Sequence, residues 1–220
     1  MNNKYSNFLT ILLVVVIIAI VGLLGFLGYD FYKKYYVSKE TSQFMEEYDK
    51  GNSDENKDNN ADNGNLTSPL DSIESANLTA SGTKQKPKYK GFSVLGKIEI
   101  PKIKLGYPIL ETVTKKSLET SVAALYGPGP NEVGNTVIVG HNYRNGLFFS
   151  NNKKLSNGDP IFITDNSGKK IQYTIYNIYQ TTPEDATYMS RDTQGAKEIS
   201  LSTCTDDGKE RLIIWAKANN

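Results

Sequence analysis

The run from Phe8 to Gly28, FLTILLVVVIIAIVGLLGFLG, carries no charged residue. As a helix it is long enough to cross a hydrocarbon layer of about 30 Å. A cleaved signal peptide has a shorter apolar region and an A-x-A-like site after it. Here Tyr29-Asp30-Phe31-Tyr32-Lys33-Lys34-Tyr35-Tyr36 follows, an aromatic and basic belt of interfacial type. The segment therefore reads as an uncleaved signal anchor rather than a buried core helix. Lys4 lies on one flank, and Lys33, Lys34 and Lys39 lie on the other. Counted literally, the positive-inside rule favours a cytoplasmic position for the rest of the chain.

The composition changes beyond the anchor. Between about Ser38 and Lys90 lies Gly51-Asn52-Ser53-Asp54-Glu55-Asn56-Lys57-Asp58-Asn59-Asn60-Ala61-Asp62-Asn63-Gly64, which has almost nothing to bury. Such a stretch cannot offset the entropy of ordering it. The expected organisation is a short tail at 1–7, the anchor at 8–28, a juxtamembrane segment and flexible linker at 29–90, and a folded domain at 91–220. A brief helical extension over Thr41 to Tyr48 is compatible with the pattern. The 25 basic and 24 acidic residues nearly balance. That speaks against a polycationic nucleic-acid binder.

Within the domain the period is mostly two. Ile98 and Ile100 alternate with Lys97 and Glu99, and Ile103, Leu105, Tyr107 and Ile109 follow after Pro101. Asn135 to Gly140 reads as a buried strand. Pro160 to Thr164, the turn Asp165-Asn166-Ser167-Gly168, and Lys169 to Tyr179 read as a hairpin. Glu198 to Cys204 and Arg211 to Lys217 form two closing strands. A short helix is expected between Thr114 and Leu125, with Leu118, Val122 and Leu125 on one face. The expected fold is mainly β, a closed barrel or sandwich with one or two short helices.

Cys204 is the only cysteine and His141 the only histidine. One cysteine rules out an internal disulfide. In Glu198 to Cys204, Ile199, Leu201 and Thr203 share one face, while Ser200, Ser202 and Cys204 share the other. Cys204 thus points off the apolar face at a strand end, whereas a packing cysteine is usually among the most buried residues. Arg211 starts the next strand and can lie beside Cys204. Taken singly, Cys204 could be inert, His141 a surface residue, and Arg211 a partner of Glu210 or Asp206.

Together these residues resemble the sortase family. The resemblance rests on Leu201-Ser202-Thr203-Cys204 followed by Arg211, with Gly140-His141 upstream. Ser200 stands where the family motif has its first threonine. Ile100-Pro101-Lys102-Ile103, Leu147-Phe148-Phe149, Leu155-Ser156-Asn157-Gly158-Asp159 and Pro183-Glu184-Asp185 agree in order. The resemblance implies a sortase-type barrel with Cys204 as nucleophile, His141 as acid and base, and Arg211 as oxyanion donor. It implies substrate-binding roles for Thr203, Pro183, Asp185 and Tyr188. Val137 and Val139 could floor the groove or be plain core.

The implied partners are secreted proteins bearing a C-terminal LPxTG-like sorting signal, with a peptidoglycan or pilin amine as acceptor. The implied place is outside the cell membrane, against the lysine count. The run Tyr126-Gly127-Pro128-Gly129-Pro130-Asn131-Glu132 is short and lacks the histidine that some class A and D members carry there, while the domain is too short for the large helical insertion between the late strands of typical class B members; the resemblance is to an A, D or E-like member. No cofactor is implied. Glu111, Glu132 and Asp159 do not single out a calcium site, so no metal is expected. With ordinary pKa values, a thiolate–imidazolium pair is only about 1% of the enzyme near pH 7. Waiting for that state adds about 2.7 kcal/mol to the barrier. The alternatives are a membrane-tethered non-catalytic β module and an L,D-transpeptidase-like enzyme. The latter places its arginine closer to the cysteine, after a glycine that is absent here. A papain-like peptidase would place its cysteine before its histidine.

Overall fold

Period-two alternation from Phe92 onward lets each strand give one face to a shared interior. In the computed structural model, which describes residues 3–54 and 86–219, nine strands form. They are β1 (Lys88–Tyr89), β2 (Phe92–Ile100), β3 (Leu105–Leu110), β4 (Val122–Tyr126), β5 (Gly134–Val139), β6 (Pro160–Asp165), β7 (Lys170–Thr181), β8 (Lys197–Cys204) and β9 (Arg211–Ala218). The sheet order is β1-β2-β3-β4-β5-β8-β9-β7-β6, and β6 pairs back onto β2. Strands β2 to β9 therefore close into a mainly-β barrel of eight, with β1 beside β2. Closure leaves no long open edge to recruit another strand. Pairs β3/β4 and β5/β8 are parallel, so β5 and β8 end at the same rim.

The interior is filled by branched apolar side chains, among them Ile98, Ile109, Ile138, Ile163, Ile199, Leu201 and Ile214, all fully buried. Gly96 sits where β2 meets β6. A Cβ there would lie 2.5 Å from the Thr164 carbonyl oxygen, so only glycine allows the closing strands this approach.

Two local expectations differ from what forms. Only Lys115–Leu118 is helical (α2), with Thr114 and Ser117 as a capping box. Val122 to Leu125 belongs to β4, because Val122 and Ala123 pair with Ile109 and Leu110 of β3. Sheet pairing overrides a spacing that also suits a helix. Ile103 ends a 3-10 turn, Pro101–Ile103, and Lys104 has φ 52°, so β3 starts at Leu105.

A long helix, α1 (Asn3–Asp54), precedes the barrel and runs further than the brief extension expected. Of the juxtamembrane segment and linker expected over 29–90, residues 29–54 belong to α1 and Lys88–Tyr89 to β1, and residues 55–85 lie outside the described residues. The chain separates into two compact units, Met1–Gln43 and Phe44–Asn220. The first unit contains the apolar run. Phe8–Gly51 is long and apolar enough to cross a membrane, by length and composition. In the second unit, Tyr48 is buried with Tyr89, Val94, Leu110 and Ala123, and Phe44 packs against them. The Tyr48 hydroxyl donates to Asn166 Oδ1 at 2.9 Å, and Asp49 pairs with the buried Lys97 at 2.6 Å.

Candidate active site

Strand register puts Cys204 and Arg211 opposite each other as the last pair of β8 and β9. Opposed residues in an antiparallel pair project to the same face. Arg211 Nη1 lies 2.5 Å from the Cys204 sulfur. Both side chains are partly exposed at the rim.

His141 reaches the same rim by parallel pairing. Val139 is in register with Ser202. The Gly140 amide continues the ladder by donating to the Ser202 carbonyl at 3.3 Å. The Thr203 hydroxyl donates to the Gly140 carbonyl at 2.8 Å. His141 therefore leaves β5 alongside Cys204, one strand over. Asn142 ties the same segments together, its Nδ2 donating to the Cys204 carbonyl at 3.0 Å and to Asp206 Oδ1 at 2.9 Å. The His141 ring leans on Tyr143, with centroids 4.9 Å apart. Burial lowers the His141 pKa; Glu119 opposes this, and the nearby Arg211 charge adds to the lowering. A base held down in this way binds its proton less readily than a free imidazole.

The four residues expected to contact substrate are placed differently from one another. Pro183 is exposed on the loop 182–196. Asp185 organises that loop by accepting from Thr181 Oγ1, the Thr187 amide and Thr187 Oγ1, and these bonds lower its pKa. Tyr188 is buried, packed on Val137 and Ile213, and its hydroxyl donates to Ser202 Oγ at 3.3 Å. It builds the loop's seat rather than an open surface. The buried Thr203 side chain is committed to Gly140. Val137 and Val139 lie on the outer face of the barrel beneath Tyr188. A cavity of about 500 Å³ also reaches Cys204, lined among others by Thr203, Leu212, Phe149 and Asp206. Neither His141 nor Arg211 lines it.

Ser200 and Ser202 share the face of Cys204, as alternation requires, yet both are buried. No pattern local to β8 names what covers them. Asn135 receives the Ser200 hydroxyl at 2.9 Å, and Arg191 pairs with Glu198. Glu198 was the available signal. A carboxylate in line with two serines on a strand face needs a cation, and Arg191 is seven residues upstream.

The sortase-domain family model matches residues 98–219. Sortase A of Bacillus anthracis is 30% identical over 124 residues, covering 55% of this chain and 58% of that protein. Sortase A of Streptococcus agalactiae is 28% identical over 163 residues, covering 68% and 61% respectively. The chain thus spans about three fifths of the length of these curated relatives. Among solved structures, a Clostridium perfringens sortase D5 transpeptidase is 34% identical at TM-score 0.54, covering 58% of this chain and 80% of that one. Sortase A from Corynebacterium diphtheriae is 29% identical at TM-score 0.53, covering 59% and 62%. A matched domain spanning more than half the chain, laid over a closed barrel whose rim joins Cys204, Arg211 and the His141 strand, places this chain in the sortase family.

Proposed function

We propose that this protein is a membrane-anchored cysteine transpeptidase. It cleaves an LPxTG-like sorting signal of secreted proteins and transfers the acyl part to a cell-wall or pilin amine. The observation that carries the reading is the Arg211 guanidinium on the Cys204 sulfur, with His141 leaving the neighbouring parallel strand at the same rim.

Cys204, as thiolate, attacks the carbonyl carbon between Thr and Gly of the signal. Arg211, already beside the sulfur, donates to the oxyanion of the tetrahedral intermediate. His141, as imidazolium, gives its proton to the leaving glycine amine, and a thioester remains on Cys204. The acceptor amine then attacks the thioester, His141 takes a proton from it, and the thiolate is released. The loop 182–196, with Pro183 and Asp185, walls the signal-binding groove. The apolar run anchors the enzyme, and the barrel works outside the membrane. The length of the late-strand region supports a class A, D or E-like member.

The test is turnover by the full-length protein in nanodiscs against a panel of fluorogenic sorting-signal peptides, with and without an added amine. Cleavage that shifts from hydrolysis to amide formation when amine is added is expected. Undiminished turnover in Cys204→Ala would sink the mechanism. Orientation is read by adding protease to intact cells: the barrel is expected to be degraded, and its protection would reverse the proposed side.

A further inference from the structure

The outer face of β8 presents Glu198, Ser200, Ser202 and Cys204 in sequence, two residues apart. The first three rungs are each engaged by neighbouring side chains on that face. Glu198 pairs with Arg191 and accepts from the Tyr176 hydroxyl at 2.7 Å. Ser200 donates to Asn135, and Ser202 accepts from Tyr188. Cys204 is the first rung that the loop 182–196 leaves open.

The loop is held down by one connected set of side chains. Asn135, buried on β5, uses both amide hydrogens on the loop backbone, donating to the carbonyls of Tyr188 and Met189 at 2.9 Å each. Its Oδ1 accepts from Ser200 and, at 3.1 Å, from Arg191 Nη2. The Arg191 guanidinium lies 4.5 Å from the Trp215 ring centroid on β9, in stacking range. The side chains of Arg191 and Glu198 are 13% and 7% exposed, so the pair is largely withdrawn from water. Burial and donation to Glu198 push the Tyr176 phenol up to about 12, keeping it a donor. Removing one member of a buried pair leaves the other charge uncompensated.

We infer that Arg191 is a positioning residue: clamped by Glu198, Trp215 and Asn135, it fixes the loop 182–196 as a prebuilt wall over β8, so that the acyl-donor peptide meets a groove closed at Ser202 and open at Cys204. This rests on the transpeptidase reading for the identity of the peptide, but not for the state of the loop. Arg191 touches no reacting atom. Its loss raises the cost of ordering the wall when peptide binds, and leaves Cys204, Arg211 and the His141 strand in place.

The experiment compares the full-length protein with Arg191→Ala, Arg191→Lys and the near-isosteric Glu198→Gln in nanodiscs. It reads peptide kinetics, amide hydrogen exchange across 182–196 and alkylation of Cys204 by iodoacetamide. For Arg191→Ala, KM is expected to rise about tenfold with kcat within about twofold, the pattern of lost ground-state binding. Loop exchange should accelerate about tenfold, and thiol alkylation should stay within about twofold, as expected for local rather than global opening. Arg191→Lys keeps the charge but not the planar fork, and should fall between. Glu198→Gln should move KM and loop exchange in the same direction by less, and it reads the clamp should Arg191→Ala fail to fold. A fall in kcat at constant KM, or unchanged loop exchange in these variants, overturns the inference. Failure of the unaltered protein to cleave any peptide overturns the transpeptidase reading instead, while the exchange measurement still decides the loop.

Discussion

At the scale of single residues, the proposed mechanism depends on three side chains, Cys204, His141 and Arg211. Arg211 sits beside the Cys204 sulfur and also lowers the His141 pKa. In the proposed mechanism Arg211 is an oxyanion donor; losing one typically costs about 10²–10³ in rate, so Arg211→Ala should lower kcat/KM by about that factor in single-turnover acylation. Arg211→Lys should not restore the wild-type rate, because an ammonium cannot donate in a planar fork. Glu119, exposed after α2, is the group that supports the His141 proton. Glu119→Gln should lower the His141 pKa further. The acid limb of the kcat/KM profile should then move to lower pH, and its maximum should fall, because fewer molecules carry the imidazolium at a given thiolate fraction. An acid limb moving upward would refute the scheme. The same lowering has a stability sign. Folded His141 binds its proton less readily than unfolded His141, so stability is full above the ordinary histidine range and declines as pH falls through it.

At the scale of elements, the site is a property of strand ends. Gly140 lies between β5 and His141, and a Cβ there would meet both Phe149 Cδ2 and Val122 Cγ1 at 2.9 Å. Overpacking of this kind typically costs about 1–3 kcal/mol. Gly140→Ala should therefore lower the melting temperature, and kcat should fall by more than the loss of folded protein explains, because the strand end carrying His141 must shift. Equal losses in folded fraction and kcat would mean that the shift is absorbed elsewhere. Much at this scale was legible beforehand. The β6/β7 hairpin, the β8 and β9 limits and the Cys204–Arg211 neighbourhood follow from alternation and turn residues close in sequence. The Thr114 to Leu125 region was not, because spacing of three and four suits a helix until β3 offers Val122 a partner. Tyr188 was expected to face substrate, but nothing local shows that Val137 and Ile213 lie beneath it.

At the scale of the whole molecule, the barrel unit begins inside α1. Phe44 and Tyr48 cover Tyr89, Val94 and Leu110, and Asp49 meets Lys97, whose side chain is 4% exposed. A protein cut to 86–220 should melt below one starting at 44, since it uncovers this apolar patch and leaves Lys97 without Asp49. Equal melting temperatures would show that the contact adds nothing. Asp49→Ala should destabilise the 44–220 protein more than Lys97→Met does. The first leaves the buried Lys97 charge only the looser contact with Glu99 at 3.7 Å, and the second removes the charge altogether. Because Asp49 is itself about half exposed, the loss should stay below the roughly 3–5 kcal/mol seen for fully buried pairs.

The sequence by itself determined the apolar run, most of the strands, and the meeting of Cys204 with Arg211. Each depends on neighbours within one hairpin or one segment, where hydrophobic period and turn chemistry act directly. Only the tertiary structure decided that His141 arrives beside Cys204, and that the serine face of β8 lies under a pinned loop. Both follow from the parallel pairing of β5 with β8, two strands about sixty residues apart. No local pattern encodes that register, because it is set by which buried faces close the barrel together.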